Sequence, residues 1–241
     1  MSARCLALIP AAGTGSRAGG AVPKQYLEVA GKPMIVRTIE AFASVPAIAR
    51  IVVVVAPDDA RFERLSLDAA SARLIRVERV GGPTRDASVL NGLDTLRDAL
   101  DDDWILVHDA ARCGVTPAMI VTLIETLRDD DVGGLLALPV ADTIKRASRD
   151  ASNRAGVAQT IDRSGLWLAQ TPQMFRFSLL RDALAAARRL GLAITDEASA
   201  IEAAGRRPRL VVGAARNFKV TTADDFAMMS ALLHADESES R

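Results

Sequence analysis

The chain has 241 residues, enough for one large α/β domain or two small ones, and its 49% apolar and 25% charged composition excludes an intrinsically disordered protein. Its 30 basic and 30 acidic residues cancel, which excludes a polyanion-binding surface spread over the whole molecule and leaves any basic cluster a local task. No apolar run approaches the roughly 20 residues of a membrane span, the two cysteines form no Cys-x-x-Cys pair, and the short apolar start runs straight into glycines; the expectation is a soluble cytoplasmic protein that binds neither membrane nor nucleic acid.

In chain order, a β-branched run at residues 5–9 leads into a glycine-rich loop. A helical pattern follows at 34–42, then a strand at 51–56, a helix at 60–67, a strand at 74–77 and a helix at 86–100. A strand at 104–107, a helix at 118–128 and a strand at 134–139 complete this half. Short apolar strands alternating with longer helices predict a Rossmann-like, doubly wound α/β fold, with a mostly parallel sheet covered on both faces. Residues 143–160 break the rhythm: they are polar, rich in Arg, Ser and Asn, and carry a turn signal at 150–153, which predicts a projecting β-arm. Helices at 177–190 and 196–204, a strand at 210–212 and a helix at 223–234 follow, with a frayed polar tail at 236–241.

The first strand ends in Pro10-Ala11-Ala12-Gly13-Thr14-Gly15-Ser16-Arg17, followed by Gly19-Gly20 and Pro23-Lys24-Gln25-Tyr26. Small residues let backbone N–H groups approach an anion, and the carboxyl edge of strand one is where open α/β sheets bind ligands. Gly13-x-Gly15-x-x-Ala18 formally matches a dinucleotide fingerprint, yet Gly19, Gly20, Pro23, Gly31 and Pro33 interrupt the helix such a motif requires. Gly31-Lys32 precedes Pro33 rather than Ser or Thr, so a Walker loop is excluded as well. A long glycine loop with two cations, Arg17 and Lys24, remains; taken by itself it also reads as a solvated surface turn.

Taken with further segments in order, this loop resembles the 2-C-methyl-D-erythritol 4-phosphate cytidylyltransferase family. Those segments are Gly81-Gly82, Arg85 with Ser88-Val89, Val107-His108-Asp109-Ala110-Ala111-Arg112, Asp142-Thr143-Ile144-Lys145 and Asp162-Arg163. Gln170-Thr171-Pro172-Gln173, Thr195-Asp196-Glu197-Ala198-Ser199 and Asn217-Phe218-Lys219-Val220-Thr221 follow, so the likeness spans nearly the whole chain. It implies one nucleotidyltransferase domain over residues 1–235 with the arm at about 143–163, and a fused cyclodiphosphate synthase module is not expected.

The resemblance implies transfer of the cytidylyl group of CTP to methylerythritol phosphate with release of pyrophosphate. Arg17 and Lys24 would stabilise charge on the triphosphate, while Arg163 and Lys219 would hold and aim the acceptor phosphate. Ala11, Ala12, Gly13 and Gly15 would cradle the nucleotide, Gly82 and Ser88 would read the cytosine, and Asp109 and Arg112 would meet nucleotide and acceptor. From spacing alone, Asp109-Ala-Ala-Arg112 also fits a helix cap with a surface arginine. Thr143 and Thr195 would line the acceptor site. Mg²⁺ is the implied cofactor, held mainly by the CTP phosphates with no protein metal site, and a homodimer exchanging arms would bring Arg163 to the neighbour's site.

His108 reads as a packed or hydrogen-bonded histidine, because an acceptor phosphate is already ionised. The chain departs from the family pattern at Cys113, where proline is common, and at Pro83, where an acidic residue is common. A ribitol 5-phosphate cytidylyltransferase shares the loop and the CTP chemistry, although Tyr26 and the run at 195–199 favour methylerythritol phosphate. A sugar 1-phosphate nucleotidyltransferase is a further rival. A catalytically silent nucleotide-binding regulator would have lost the cationic set, whereas Arg17, Lys24, Arg163 and Lys219 are all present.

Overall fold

The computed structural model describes residues 3–13, 22–150 and 152–239. Strand β1 (Cys5–Pro10) is followed by a small hairpin, β2 (Glu28–Val29) and β3 (Lys32–Pro33), then helix α1 (Met34–Ala43) and β4 (Ile48–Val54). Helix α2 (Ala69–Leu74), β5 (Ile75–Glu78), α3 (Arg85–Asp94) and β6 (Trp104–Val107) come next, then α4 (Pro117–Leu127) and β7 (Gly133–Pro139). The arm is β8 (Ile144–Arg149) with β9 (Ala155–Ile161). The chain closes through β10 (Trp167–Arg176), α5 (Phe177–Arg189), α6 (Glu197–Ala203), β11 (Arg209–Val212) and α7 (Ala223–Glu239).

Seven strands form one sheet in the order β11-β7-β10-β6-β1-β4-β5. Neighbours pair in parallel except β10, which runs antiparallel between β6 and β7. The strand alternation assigns each side chain to a face. Cys5, Ala7 and Ile9 of β1 join Ile51 and Val53 of β4 beneath α1 and α4, in a core with Ile39, Phe42, Ile120 and Leu123. Leu6 and Leu8 point the other way with Val52 and Val54, into a core closed by Leu93 of α3, Leu180 of α5 and Ile201 of α6. Burial on both faces explains why the strands read as continuous apolar runs. A third cluster, including Val29, Met34, Cys113, Val220 and Met229, docks α7 onto the hairpin.

The expected helix at 60–67 is absent. Asp59 accepts the N–H groups of Arg61 (2.8 Å) and Phe62 (3.0 Å), and only a 3₁₀ turn forms there, at Phe62–Arg64. Asp68 then caps a fresh helix, α2, by accepting from Ser71 N (2.6 Å). Helix α3 ends at Asp94 rather than residue 100, and α7 continues to Glu239, so residues 236–239 are helical instead of frayed. The hairpin and β10 are elements the sequence pattern did not announce.

The arm is a two-stranded antiparallel sheet, as expected, separate from the central one. Asp150 closes its tip by accepting from the N–H groups of Ser152 and Arg154, each at 2.9 Å, and Asn153 adopts a left-handed φ of 60°. Val157 is 68% exposed on it, so the arm contributes no core to its own chain. Among the described residues, no helix is long and apolar enough to cross a membrane.

Candidate active site

The chain leaves β1, builds β4 and β5 on one side, and returns through α3 to place β6 on the other side of β1. Such a reversal splays the loops at the carboxyl ends of the strands and opens a crevice there. The crevice is an open cleft of about 670 Å³ bounded by Ala11 to Gly13, Lys24, the 82–85 turn, Asp109 and Lys219.

Backbone geometry holds its floor. Ala11 N donates to the Val54 carbonyl (2.7 Å) and the Ala11 carbonyl accepts Gln25 Nε2 (2.7 Å), so the turn after β1 is clamped from both sides. Gly81 N donates to the Val55 carbonyl (2.9 Å). A Cβ at Gly81 would collide with the Ala12 Cβ and lie 2.7 Å from the Val55 carbonyl oxygen, so only glycine lets the 81–84 turn touch the first loop. The Ser88 hydroxyl accepts Gly82 N (3.0 Å) and donates to the Thr84 carbonyl (2.9 Å), which fixes the turn that opens α3. Ser88 therefore shapes this wall with its hydroxyl already engaged.

Charged groups converge over that floor. Lys24 lines the cleft and donates from Nζ to the Val220 carbonyl (2.5 Å), while Val220 N donates to the Ala111 carbonyl (2.8 Å). Asp109 accepts Lys219 Nζ on Oδ2 (2.8 Å) and Arg85 Nε on Oδ1 (2.7 Å). The other edge of the Arg85 guanidinium grips Glu197 through Nη1 (2.6 Å) and Nη2 (3.0 Å). Burial raises the Asp109 carboxyl, but the charges and hydrogen bonds of Arg85 and Lys219 outweigh it and hold Asp109 well below the usual carboxylate range. For Arg85, burial works against the charge, and Glu197 and Asp109 overcome it and raise its pKa.

Behind Asp109 a buried relay fixes the loop. The Thr171 hydroxyl accepts Asp109 N (3.1 Å) and donates to His108 Nδ1 (3.0 Å), and His108 Nε2 donates to the Arg112 carbonyl (3.2 Å). This pattern assigns the neutral Nε2–H tautomer. Burial pushes His108 down to about 4, so it is a neutral positioning group, as expected. The unfolded chain takes up this proton below about 6.5 and the native state only near 4, so stability falls as pH drops through that window. Urea unfolding at pH 7 and pH 4.5 is expected to show wild type losing about 2–3 kcal/mol more than His108→Gln. Equal losses in the two proteins would contradict this assignment. Asp109 acts in a separate, lower window, since a depressed carboxylate loses its contribution only as pH falls through its folded value.

The sequence-derived residues divide into three groups. Ala11, Ala12, Gly13, Lys24, Gly82, Ser88, Asp109 and Lys219 are brought together around the cleft. Gly15 and Arg17 lie outside the described residues. Arg112, Thr143, Arg163 and Thr195 do not line it. The Arg112 guanidinium turns to the carbonyls of Asn217 (2.8 Å) and Ala169 (3.3 Å). Arg163 donates to the Ala141 carbonyl at the base of the arm, near exposed Thr143, and Thr195 is exposed before α6. Cys113 is buried in the third core cluster, and burial pushes its thiol up to about 11, so it is no thiolate at neutral pH.

Arg85 and Glu197 are the charged residues that sequence reasoning left without a role. One signal was available: a cation as the first residue of α3 opposes the helix dipole, so it has to be held there by something else.

Residues 5–235 match the profile of the 2-C-methyl-D-erythritol 4-phosphate cytidylyltransferase family. The enzyme of that name from Burkholderia vietnamiensis is 54% identical over 237 residues, covering 98% of each chain. Its counterpart from Ralstonia nicotianae is 56% identical over 239 residues, covering 95% of this chain and 92% of the relative. Among solved structures, a 4-diphosphocytidyl-2C-methyl-D-erythritol synthase superposes with a TM-score of 0.82 at 41% identity, covering 97% of this chain and 99% of that one. The 2-C-methyl-D-erythritol 4-phosphate cytidylyltransferase of Thermus thermophilus gives 0.77 at 31% identity, covering 97% and 100%. The chain belongs to the 2-C-methyl-D-erythritol 4-phosphate cytidylyltransferase family.

Proposed function

We propose that this protein joins the phosphate of 2-C-methyl-D-erythritol 4-phosphate to the α-phosphorus of CTP, yielding 4-diphosphocytidyl-2-C-methyl-D-erythritol and pyrophosphate for non-mevalonate isoprenoid synthesis. The observation that carries this reading is the convergence of a clamped small-residue turn, Lys24, Asp109 and Lys219 at the switch point of the sheet, in a member of this family.

The chemistry asks two anions to meet. An acceptor phosphate oxygen forms a bond to Pα while the bond from Pα to the bridging oxygen breaks, and negative charge accumulates on the departing pyrophosphate. Fixed cations and N–H donors aimed at that charge supply most of the acceleration. The N–H groups of Ala12 and Gly13, with Gly15 beyond the described segment, cradle the triphosphate on a turn that the Ala11 N–H pins to Val54; Lys24 and Arg17 oppose its developing charge. The turn at Gly82, braced by the Ser88 hydroxyl, presents backbone carbonyl groups to the cytosine edge. Asp109, held ionised, is an acceptor for sugar hydroxyls and keeps Lys219 pointed into the cleft, where Lys219 receives the acceptor phosphate. Arg112 holds the segment 217–220 that carries Lys219 by donating to the Asn217 carbonyl.

Among the described residues no group of three His, Cys, Asp or Glu side chains converges as a metal site. One cleft carboxylate beside a triphosphate fits Mg²⁺ delivered on CTP, since this ion keeps most of its water and binds few protein carboxylates. Bound there, Mg²⁺ would neutralise charge on the leaving pyrophosphate.

Thr143 and Arg163 act, in this reading, on the site of a second copy. The polar, coreless arm supports an arm-exchanged homodimer in which each arm completes the neighbour's acceptor pocket. Residues 1–235 act as one nucleotidyltransferase domain, and a cytoplasmic location fits its two unpaired, buried cysteines. Pyrophosphate release from CTP with each polyol phosphate tests the reaction. Turnover with methylerythritol phosphate is expected, and turnover with ribitol 5-phosphate alone would overturn the choice of acceptor.

A further inference from the structure

The strongest buried charge cluster beside the cleft contains a carboxylate that the transfer step never touches. Glu197, the first residue of α6, has a side chain only 1% exposed and is locked by the Asp196 and Ser199 capping box. Its two oxygens occupy both terminal nitrogens of Arg85. That pairing takes the end-on face of the guanidinium, and its Nε–H donates to Asp109 Oδ1. An arginine in the wall of a triphosphate site has a strong competing option, since its planar fork pairs bidentately with phosphate.

We infer that Glu197 is a positioning residue: it occupies the phosphate-binding fork of Arg85, so that Arg85 serves Asp109 instead of trapping the nucleotide. The inference rests on the cytidylyl transfer proposed above. Neutralising Glu197 releases two N–H donors in the wall of the cleft that takes CTP. The ground-state complex then tightens, while Asp109 and the Lys219 it orients lose their fixed geometry. A purely structural role predicts a different result, namely fewer folded molecules with unchanged KM in those that remain.

The test compares wild type, Glu197→Gln, Glu197→Asp, Arg85→Met and the double variant Arg85→Met/Glu197→Gln, using kcat, KM for CTP and calorimetric titration with CTP. Glu197→Gln is expected to bind CTP several-fold more tightly and to turn over about 10- to 100-fold more slowly, the scale of a misplaced positioning group. Glu197→Asp, which keeps the charge on a shorter stem, should fall between. The double variant should be no slower than Arg85→Met alone, because Glu197 acts only through that arginine. It also removes both buried charges together, so it stays informative where the single variant folds poorly. Wild-type kcat and CTP affinity in Glu197→Gln would overturn the inference, as would a loss of kcat proportional to lost folded protein at unchanged KM, or a double variant slower than Arg85→Met. Absence of turnover in wild type would sink the cytidylyl reading instead, and the CTP titration would still decide the role of Glu197.

Discussion

Lys24→Ala is expected to lower kcat by about two to three orders of magnitude, the cost of removing one preorganised donor from a charge-developing transition state. Its position argues for so large an effect. The 3₁₀ turn at Lys24–Tyr26 projects it into the cleft across from Asp109, and its ammonium is fixed on the Val220 carbonyl, in the segment that carries Lys219. A lysine held in this way costs little reorganisation when charge builds on the leaving group. The loss should appear in kcat and in kcat/KM together, as for an interaction made chiefly in the transition state. Its fold should survive, since Lys24 is partly exposed and belongs to none of the core clusters. Steady-state kinetics with CTP varied, alongside thermal unfolding, checks both halves, and near-normal kcat in a folded variant would remove Lys24 from the mechanism.

Co-expressing Lys24→Ala with Arg163→Ala is expected to restore about a quarter of wild-type activity, although each variant alone is nearly inactive. The expectation follows from closed twofold symmetry with exchanged arms. In a mixed dimer, one site combines both defects and the other combines neither. Random assembly makes about half the dimers mixed, each with one intact site of two, which gives the quarter. Within one chain, Arg163 sits on the arm and bonds the Ala141 carbonyl instead of lining the cleft. Activity of the mixture no higher than the mean of the two variants would show that each site uses its own Arg163.

Much of this arrangement was legible in the sequence where one physical rule dominated. Continuous apolar runs specified β1, β4 and β6, and small residues next to β1 marked the floor of the cleft. Legibility failed where local rules competed. The run at 60–67 has helical spacing, yet two aspartates, Asp59 and Asp68, each claim nearby N–H groups, so the run keeps only a 3₁₀ turn and the helix, α2, begins after it. Strand β10 was hidden by Gln170-Thr171-Pro172-Gln173, since a proline among polar residues argues against a central strand. The structure accommodates it through a break in register between Ala169 and Gln173, and the polar side chains serve as cross-links. Gln173 bonds Asp196 (2.8 Å) and Ala198 N (2.8 Å), while Asn217 bonds the Thr171 carbonyl (2.7 Å). The pairing of Arg85 with Glu197 joins residues from α3 and α6 that no local pattern relates.

Two of the site residues that did not converge share a physical reason. Thr143 and Arg163 lie on or beside an arm whose strands pair only with each other, so within one chain nothing brings them to the cleft. Arg112, by contrast, is drawn inward to carbonyl groups, and burial lowers its pKa. Its bond to the Asn217 carbonyl ties it to the segment that carries Lys219.

The central claim is that the turn after β1, with Lys24, holds the triphosphate of CTP. A crystal structure of the complex with CTP measures this directly. The phosphates should lie about 3 Å from the N–H groups of Ala12 and Gly13 and from Lys24 Nζ, with the base against the Gly82 turn. An ordered triphosphate bound away from that turn, with the cleft beside Asp109 left to solvent, would contradict the account.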